Sequence, residues 1–311
     1  MNETGLLLRQ RGGRAGESRP YAGVELGGTK CVCTLAFAPD RVLDRRVVPT
    51  TTPDETLGAI VAILAGWRRS GIAALGIGSF GPLDLDGCSA TFGHILATAK
   101  PGWRMADVRG TLAAGFDGPV GFDTDVNGAA LAEMRWGAGQ GLDDFAYVTV
   151  GTGIGVGLVV NGRPTRGLGH SEVGHLRVPR MPGDDAPSAC PYHSDCVEGL
   201  ASGTALVARL AGRKVDEVAP DDPVWPPIVH ALAAMCHAMV STGAPLRIAL
   251  GGGVIDRQPA LIGRIESALI ASLGGYQAVP PAYLVPPELG AMAGPMGSIV
   301  LAVDALGAIA G

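Results

Sequence analysis

Tyr21-Ala-Gly-Val-Glu25-Leu-Gly27-Gly28-Thr29-Lys30-Cys-Val-Cys-Thr-Leu-Ala-Phe37 reads as an apolar strand, a small Gly/Thr turn and a second apolar strand. Glycine between two runs of strand-forming residues marks a hairpin. The same plan returns at Ala146-Tyr-Val-Thr-Val-Gly151-Thr152-Gly153-Ile-Gly-Val-Gly-Leu-Val-Val160, with Gly151 in the place of Gly27. One such hairpin is commonplace. Two, each opening one half of the chain, predict a duplicated α/β unit, with two lobes, a cleft between them and both turns facing it.

The turns suit phosphate, because glycine exposes backbone N–H groups and threonine hydroxyls add donors. Taken singly, each is equally an ordinary tight hairpin. Neither follows the spacing of a dinucleotide fingerprint, and no Gly-Lys pair exists for a Walker loop. A third cluster, Gly251-Gly252-Gly253, ends the apolar run Arg247-Ile-Ala-Leu and precedes a helical stretch over 258–273. A flat base or a phosphate can approach backbone closely at such a junction.

Between the hairpins, 54–70 has Leu57, Ile60, Val61 and Leu64 on one helical face. A buried strand follows over 74–84 and ends in the turn Gly81-Pro82. Residues 91–103 form a Gly/Pro-rich loop in which His94 and Lys100 read as ordinary polar side chains. Then Pro119-Val-Gly-Phe-Asp123-Thr124-Asp125-Val-Asn127 takes a strand into an Ala/Leu helix. Asp125 or Asn127 is a natural N-cap there. The same junction is where a two-lobed cleft would place its chemistry, since a helix N-terminus keeps a carboxylate ionised and able to accept a hydroxyl proton. Residues 289–303 predict a small-residue helix that returns to the first lobe.

The densest chemistry lies over Glu172-Val-Gly-His175 and Cys190-Pro-Tyr-His193-Ser-Asp-Cys196-Val-Glu198. His175, Cys190, His193 and Cys196 are a ligand set for tetrahedral zinc. Four protein ligands leave no open position, so the metal would hold the loop and present Glu172 and Glu198 on a rigid edge. The alternative is a set of buried thiols.

Composition limits the partners. Charged residues make up 17% and hydrophobic residues 47%, as in a well-cored soluble chain of 311 residues. The net charge is −5 and no basic stripe occurs, which argues against nucleic acid. No apolar run looks long enough to span a bilayer. Residues 1–20 read as a disordered tail of a cytoplasmic protein. Cys31 and Cys33, alternating in an apolar strand, read as buried thiols of a reducing compartment.

Together these pieces resemble the ROK family of sugar kinases, and within it the bacterial fructokinase branch. The resemblance runs from residue 21 to the end, through Val24-Glu25-Leu-Gly-Gly-Thr-Lys30, Ser79-Phe-Gly-Pro-Leu-Asp84, Phe92-Gly-His-Ile with Lys100-Pro-Gly-Trp103, Asp123 to Asn127, Glu172-Val-Gly-His175, Cys190 to Gly203, and Gly251 to Ile255. It implies the actin/hexokinase-like (ribonuclease H-like) α/β fold. Residues 21–124 with 290–311 would form a smaller lobe, and 125–289 a larger one carrying a zinc loop over 175–196. It implies ATP-dependent phosphorylation of a hexose with Mg²⁺, by a cytoplasmic homodimer. Asp125 would be the catalytic base. Gly81, Asn127, Glu172, His175 and Glu198 would meet the sugar. Glu25, Gly27, Gly28, Thr29 and Lys30 would take phosphate and Mg²⁺, with Gly151, Thr152 and Gly153 as the second phosphate segment and Gly251–Gly253 at adenosine.

The Cys-x-x-His-x-x-Cys run is similar to the fructokinase form of a structural zinc site, where the glucokinase branch has a third cysteine, and it favours D-fructose. Glu25 stands where the family commonly has aspartate, and Thr124 where many of its glucokinases have asparagine. The alternatives are a glucokinase, another hexose or N-acyl-hexosamine kinase, or a non-catalytic sugar sensor. The family's DNA-binding repressors carry an N-terminal helix-turn-helix domain that residues 1–20 are too short to hold.

Overall fold

Alternating apolar residues around the Gly27 turn pair β1 (Tyr21–Leu26) with β2 (Lys30–Ala36) as an antiparallel hairpin in the computed structural model, which describes residues 19–309. The reading of residues 1–20 as a tail falls, but for Arg19 and Pro20, outside the described residues. The first half continues with β3 (Val42–Pro49), α1 (Pro53–Ser70), β4 (Leu75–Ser79), α2 (Val108–Ala113), β5 (Val120–Thr124) and α3 (Asp125–Trp136). The second half has β6 (Phe145–Val150), β7 (Ile154–Val160), β8 (Arg163–Pro164), α4 (Val197–Ala201), α5 (Gly203–Leu210), α6 (Trp225–Thr242), β9 (Ile248–Gly251), α7 (Gly253–Arg257), α8 (Leu261–Leu273), β10 (Leu284–Val285) and α9 (Ala293–Ile309).

The two sheets repeat one plan. The first has the order β3-β2-β1-β4-β5, and the second, taken from its β8 edge, the order β8-β7-β6-β9-β10. In each, the hairpin strands are antiparallel and the last three strands are parallel. This is the α/β duplication expected from the paired hairpins. The copies are unequal, since β3 has eight residues and β8 only two.

Each sheet has one face covered by its own helices. α1 is capped by Thr52, starts at Pro53 and buries Leu57, Ile60, Leu64 and Trp67 in the first core. α4 to α8 cover the second sheet, with Trp225, Ile228 and Leu232 fully buried. The other faces are covered by exchange. α3 follows β5 yet packs on β6 and β7, while α9 follows β10 yet packs on β1, β4 and β5, and the two helices lie against each other.

Small residues permit that closeness. Gly23, Gly76 and Gly121 stand in register across β1, β4 and β5. A Cβ on any of them would run into α9, at Ser298, at the Ser298 carbonyl and Ala302 amide, and at the Leu301 carbonyl respectively. Backbone therefore lies on backbone at Gly76 and Gly121. One expectation is corrected here. Gly290–Ala308 is long and apolar enough to cross a bilayer by length and composition. Half of this stretch is instead buried between the first sheet and α3, with Ala293, Met296, Ile299, Val300 and Ala302 in the interior.

Candidate active site

Asp125 is the first residue of α3, where β5 ends beside β4. Neither Asp125 nor Asn127 caps the helix, contrary to the sequence reading. Thr124 does so, because it keeps the extended backbone (φ −67°, ψ 152°) from which its Oγ1 accepts the Asn127 N–H at 3.1 Å. The Asp125 carboxylate is thereby free of capping duty, and its Oδ1 accepts the Val126 N–H at 2.9 Å. Asp123 is the organiser of the junction. Its Oδ1 accepts from Thr124 N at 2.6 Å and Asn127 Nδ2 at 2.8 Å, and its Oδ2 accepts from Arg166. Asn127 is buried, with its amide nitrogen committed to Asp123 and its Oδ1 without a protein partner.

Three carboxyl groups share the electrostatics of this junction. Loss of water pushes Asp125 up to about 6, with the Asp123 charge adding to it and the Val126 N–H opposing. Glu25 on β1 is pushed up to about 7 by burial and by Asp125, against Lys30 and Arg45. Glu172 is pushed up to about 7 by partial burial and then by the Glu198 and Asp125 charges. Because 45% of the Glu172 side chain is exposed, water screens that effect more than at Glu25. The Asp125 charge thus acts on one acid from the Gly27 hairpin and on another from the second half of the chain.

The two Gly turns are set by donors that hold their carbonyls. In the first, Gly27 O accepts from Thr50 Oγ1 at 2.7 Å, Gly28 O from Lys100 Nζ at 2.7 Å, and Thr29 O from Thr50 N at 3.0 Å. Lys100, read from sequence as an ordinary loop residue, is therefore tied to this turn. Gly28 borders open space. In the second turn, Gly151 O accepts from Gly203 N at 2.7 Å and Thr152 O from Thr204 Oγ1 at 2.8 Å, both from the start of α5. Gly151, Thr152, Gly253 and Val254 border one cavity of about 500 Å³ with Leu206 and Val207 on its wall. That size suits a base with its ribose. Gly252 has φ +92° and no room for a side chain against Val150, so β9 can turn directly into α7. The helix expected over 258–273 is preceded by α7 and starts at Leu261. A larger groove, of about 790 Å³, lies between α6, α8 and Met181–Pro182, and none of the candidate residues borders it.

His175, Cys190, His193 and Cys196 converge, with one ligand atom of each lying within 4.8 Å of all the others. Cys190 Sγ is 3.7 Å from His175 Nδ1 and 3.6 Å from His193 Nδ1, and Cys196 Sγ is 3.8 Å from His175 Nδ1. Tetrahedral zinc with bonds of about 2.0–2.3 Å would give ligand edges of about 3.3–3.8 Å, so these residues fit that metal. The other nitrogen of His175, Nε2, stands 3.8 Å from Glu198 Oε1. Glu198 Oε2 accepts the Ile154 N–H at 3.0 Å, just after the second Gly turn. Glu198 therefore joins the metal-type cluster to that turn.

Sequence reading missed two residues of the segment between β8 and α4. Arg166 donates to Asp123, and His170 Nε2 accepts the Leu83 N–H at 2.9 Å. Neither carries a local signal, because each partner is distant in sequence. The expected Gly81 lies under the His170 ring.

Two copies of one sheet plan, with an acid at the helix start between two Gly turns, define a phosphotransferase of the actin/hexokinase fold class. The chain belongs to the ROK family, whose model matches residues 21–305. It is 42% identical to the fructokinase of Zymomonas mobilis over 298 residues, 93% of this chain and 98% of that protein. It is 40% identical to the fructokinase of Pediococcus pentosaceus over 285 residues, 91% of this chain and 97% of that protein. The solved ROK family glucokinase from Streptomyces griseus, in complex with glucose and AMPPNP, is similar with a TM-score of 0.75 and 28% identity, over 92% of this chain and 99% of that one.

Proposed function

We propose that this protein is an ATP-dependent hexose kinase that phosphorylates D-fructose to fructose 6-phosphate. The observation that carries the reading is the Asp125 carboxylate at the start of α3, left out of the helix cap and acting electrostatically on Glu25 at one Gly turn and on Glu172 from the second half. Identities of 42% and 40% to fructokinases, over more than nine-tenths of the chain, support fructose as the acceptor. The glucose and AMPPNP held by the glucokinase of the same fold support a sugar site beside a nucleotide site.

In this reading Asp125 orients the sugar hydroxyl and accepts its proton as the oxygen bonds to the γ-phosphorus and the bond to ADP breaks. Glu172, His175 through Nε2, and Glu198 hold further hydroxyls. Gly81 belongs to the same acceptor region, and the unpartnered Asn127 Oδ1 is a buried acceptor suited to one more hydroxyl. Gly27–Lys30 and Gly151–Gly153 receive the phosphates, and Gly251–Gly253 with the cavity beside them receives adenosine. Glu25 fits a contact to Mg²⁺ or its water, since a cation relieves the repulsion between Glu25 and Asp125. Bound there, Mg²⁺ would neutralise charge on the β- and γ-phosphates. Zinc on His175, Cys190, His193 and Cys196 would be structural.

Residues 21–124 with 290–311 act as the smaller lobe and 125–289 as the larger, a division supported by the exchange of α3 and α9. A cytoplasmic homodimer is carried by resemblance to the family. The test is ATP turnover with D-fructose, D-glucose, D-mannose and N-acetylmannosamine. The highest kcat/KM is expected for fructose. A preference for another sugar overturns the acceptor, and binding without turnover makes the protein a sensor.

A further inference from the structure

We propose that His170 is a positioning residue that locks the Gly81 loop of the first half to Glu172 of the second, and that position 81 is glycine because the His170 ring fills the place of a side chain. Its consequence for sugar affinity rests on the hexose-kinase reading, whereas its geometry does not.

Leu83 N donates to His170 Nε2 at 2.9 Å, so that nitrogen is unprotonated and a neutral ring carries its hydrogen on Nδ1. Nδ1 lies 3.4 Å from Ser171 O and 3.5 Å from Glu172 Oε1. One imidazole thus joins a main-chain amide of the loop after β4 to the acid that reads the sugar. The ring is 5% exposed, and burial lowers its basicity, with Ser171 O and Asp123 opposing and Arg166 adding to the effect. An ideal Cβ on Gly81 would stand 3.1 Å from His170 Cε1, 3.2 Å from Nε2 and 3.3 Å from Leu83 N. It would wedge between the ring and the amide that holds it. The ring is buried and pinned, so it has little room to yield.

Arg166, paired with His170 by an isolated β-bridge, donates to Asp123 and makes a second strut from the same short segment. Glu172 follows His170 by two residues and has 45% of its side chain exposed. Without the ring, the 3.5 Å contact of Nδ1 with its carboxylate is lost.

The test is a double-mutant cycle of Gly81→Ala and His170→Ala, with His170→Gln as the conservative variant. Each single alanine variant is expected to raise the sugar KM about tenfold or more, with the ATP KM within about twofold. Gly81→Ala added to His170→Ala is expected to cost less than about twofold further. His170→Gln, which restores an acceptor for the Leu83 N–H, is expected to recover much of the loss. The same cycle read in Tm without substrate is expected to be non-additive in the same sense. If Gly81→Ala costs as much in the His170→Ala background as in wild type, by both readouts, Gly81 faces the sugar directly and the proposal is overturned. If wild type phosphorylates no hexose, the kinase reading fails while the Tm cycle still decides the lock. Should His170→Ala fail to fold, His170→Asn takes its place in the cycle.

Discussion

As the proposed base, Asp125 would have to be ionised to take a proton, yet its surroundings raise its pKa. Burial, with the Asp123 charge adding to it, brings it to about 6, so a base at this position would be available above that pH and lost below it. The acid limb of kcat/KM is expected to bend near pH 6, falling about tenfold per pH unit beneath it. Stability runs the other way. A carboxyl whose folded pKa is raised contributes most below its unfolded value, and that contribution disappears as pH rises through about 6. Asp125→Asn keeps the oxygen that accepts the Val126 N–H but cannot ionise. Its kcat is expected to fall by about three or more orders of magnitude. Its Tm is expected to exceed wild type by a few degrees at pH 8 and to converge with it near pH 4. Scanning calorimetry at both pH values, beside initial rates, checks the pair; near-wild-type activity would remove Asp125 from the role of base.

At the scale of elements, the segment from β8 to α4 is held by two different devices. Its outer part is clamped by ion pairs, with Asp184 taking two hydrogen bonds from the buried Arg209 at 2.6 and 2.8 Å, and Asp195 taking two from Arg177 at 2.7 and 2.8 Å. Its inner part, with Cys190, His193 and Cys196 around His175, fits zinc. Structural zinc contributes on the order of 10 kcal/mol where it organises a small site. Purified protein is therefore expected to carry about one zinc per chain. Chelation, or Cys190→Ser, is expected to lower Tm and to raise the sugar KM more than the ATP KM, because His175 and Glu198 lose their support while the carbonyls of both Gly turns keep their donors from Thr50, Lys100, Gly203 and Thr204. Full activity without bound zinc would return the four residues to buried thiols and imidazoles.

Across the whole molecule, the exchange of α3 and α9 makes each half depend on the other. α9 can reach the first sheet only because Gly23, Gly76 and Gly121 leave a bare strip across three strands. Gly76→Ala would drive a methyl into the backbone of α9 at Ser298 and Ala302. Overpacking of this kind costs about 1–3 kcal/mol, with the upper end expected here because backbone cannot rotate aside. A drop in Tm of several degrees or loss of soluble protein checks it. An unchanged Tm would mean that α9 does not lie on this strip.

By itself the sequence determined the repeated hairpins, the strand-to-helix junction at Asp125 and the His/Cys cluster around Cys190. These are local patterns: alternation sets strand faces, glycine sets turns, and a short run places ligands within reach of one metal. It pointed to Asp125 or Asn127 as the cap of α3 and passed over Thr124, because all three offer an oxygen and only the backbone angles choose Thr124. It gave no sign of Lys100 on the Gly28 carbonyl, Arg166 on Asp123 or His170 on Leu83, because each pair joins residues 43 to 87 positions apart. The glycines of β1, β4 and β5 likewise form a strip only once the strands are in register. Only the tertiary structure decided these points, because hydrogen bonds and close packing between distant segments depend on where the sheets and the exchanged helices bring them.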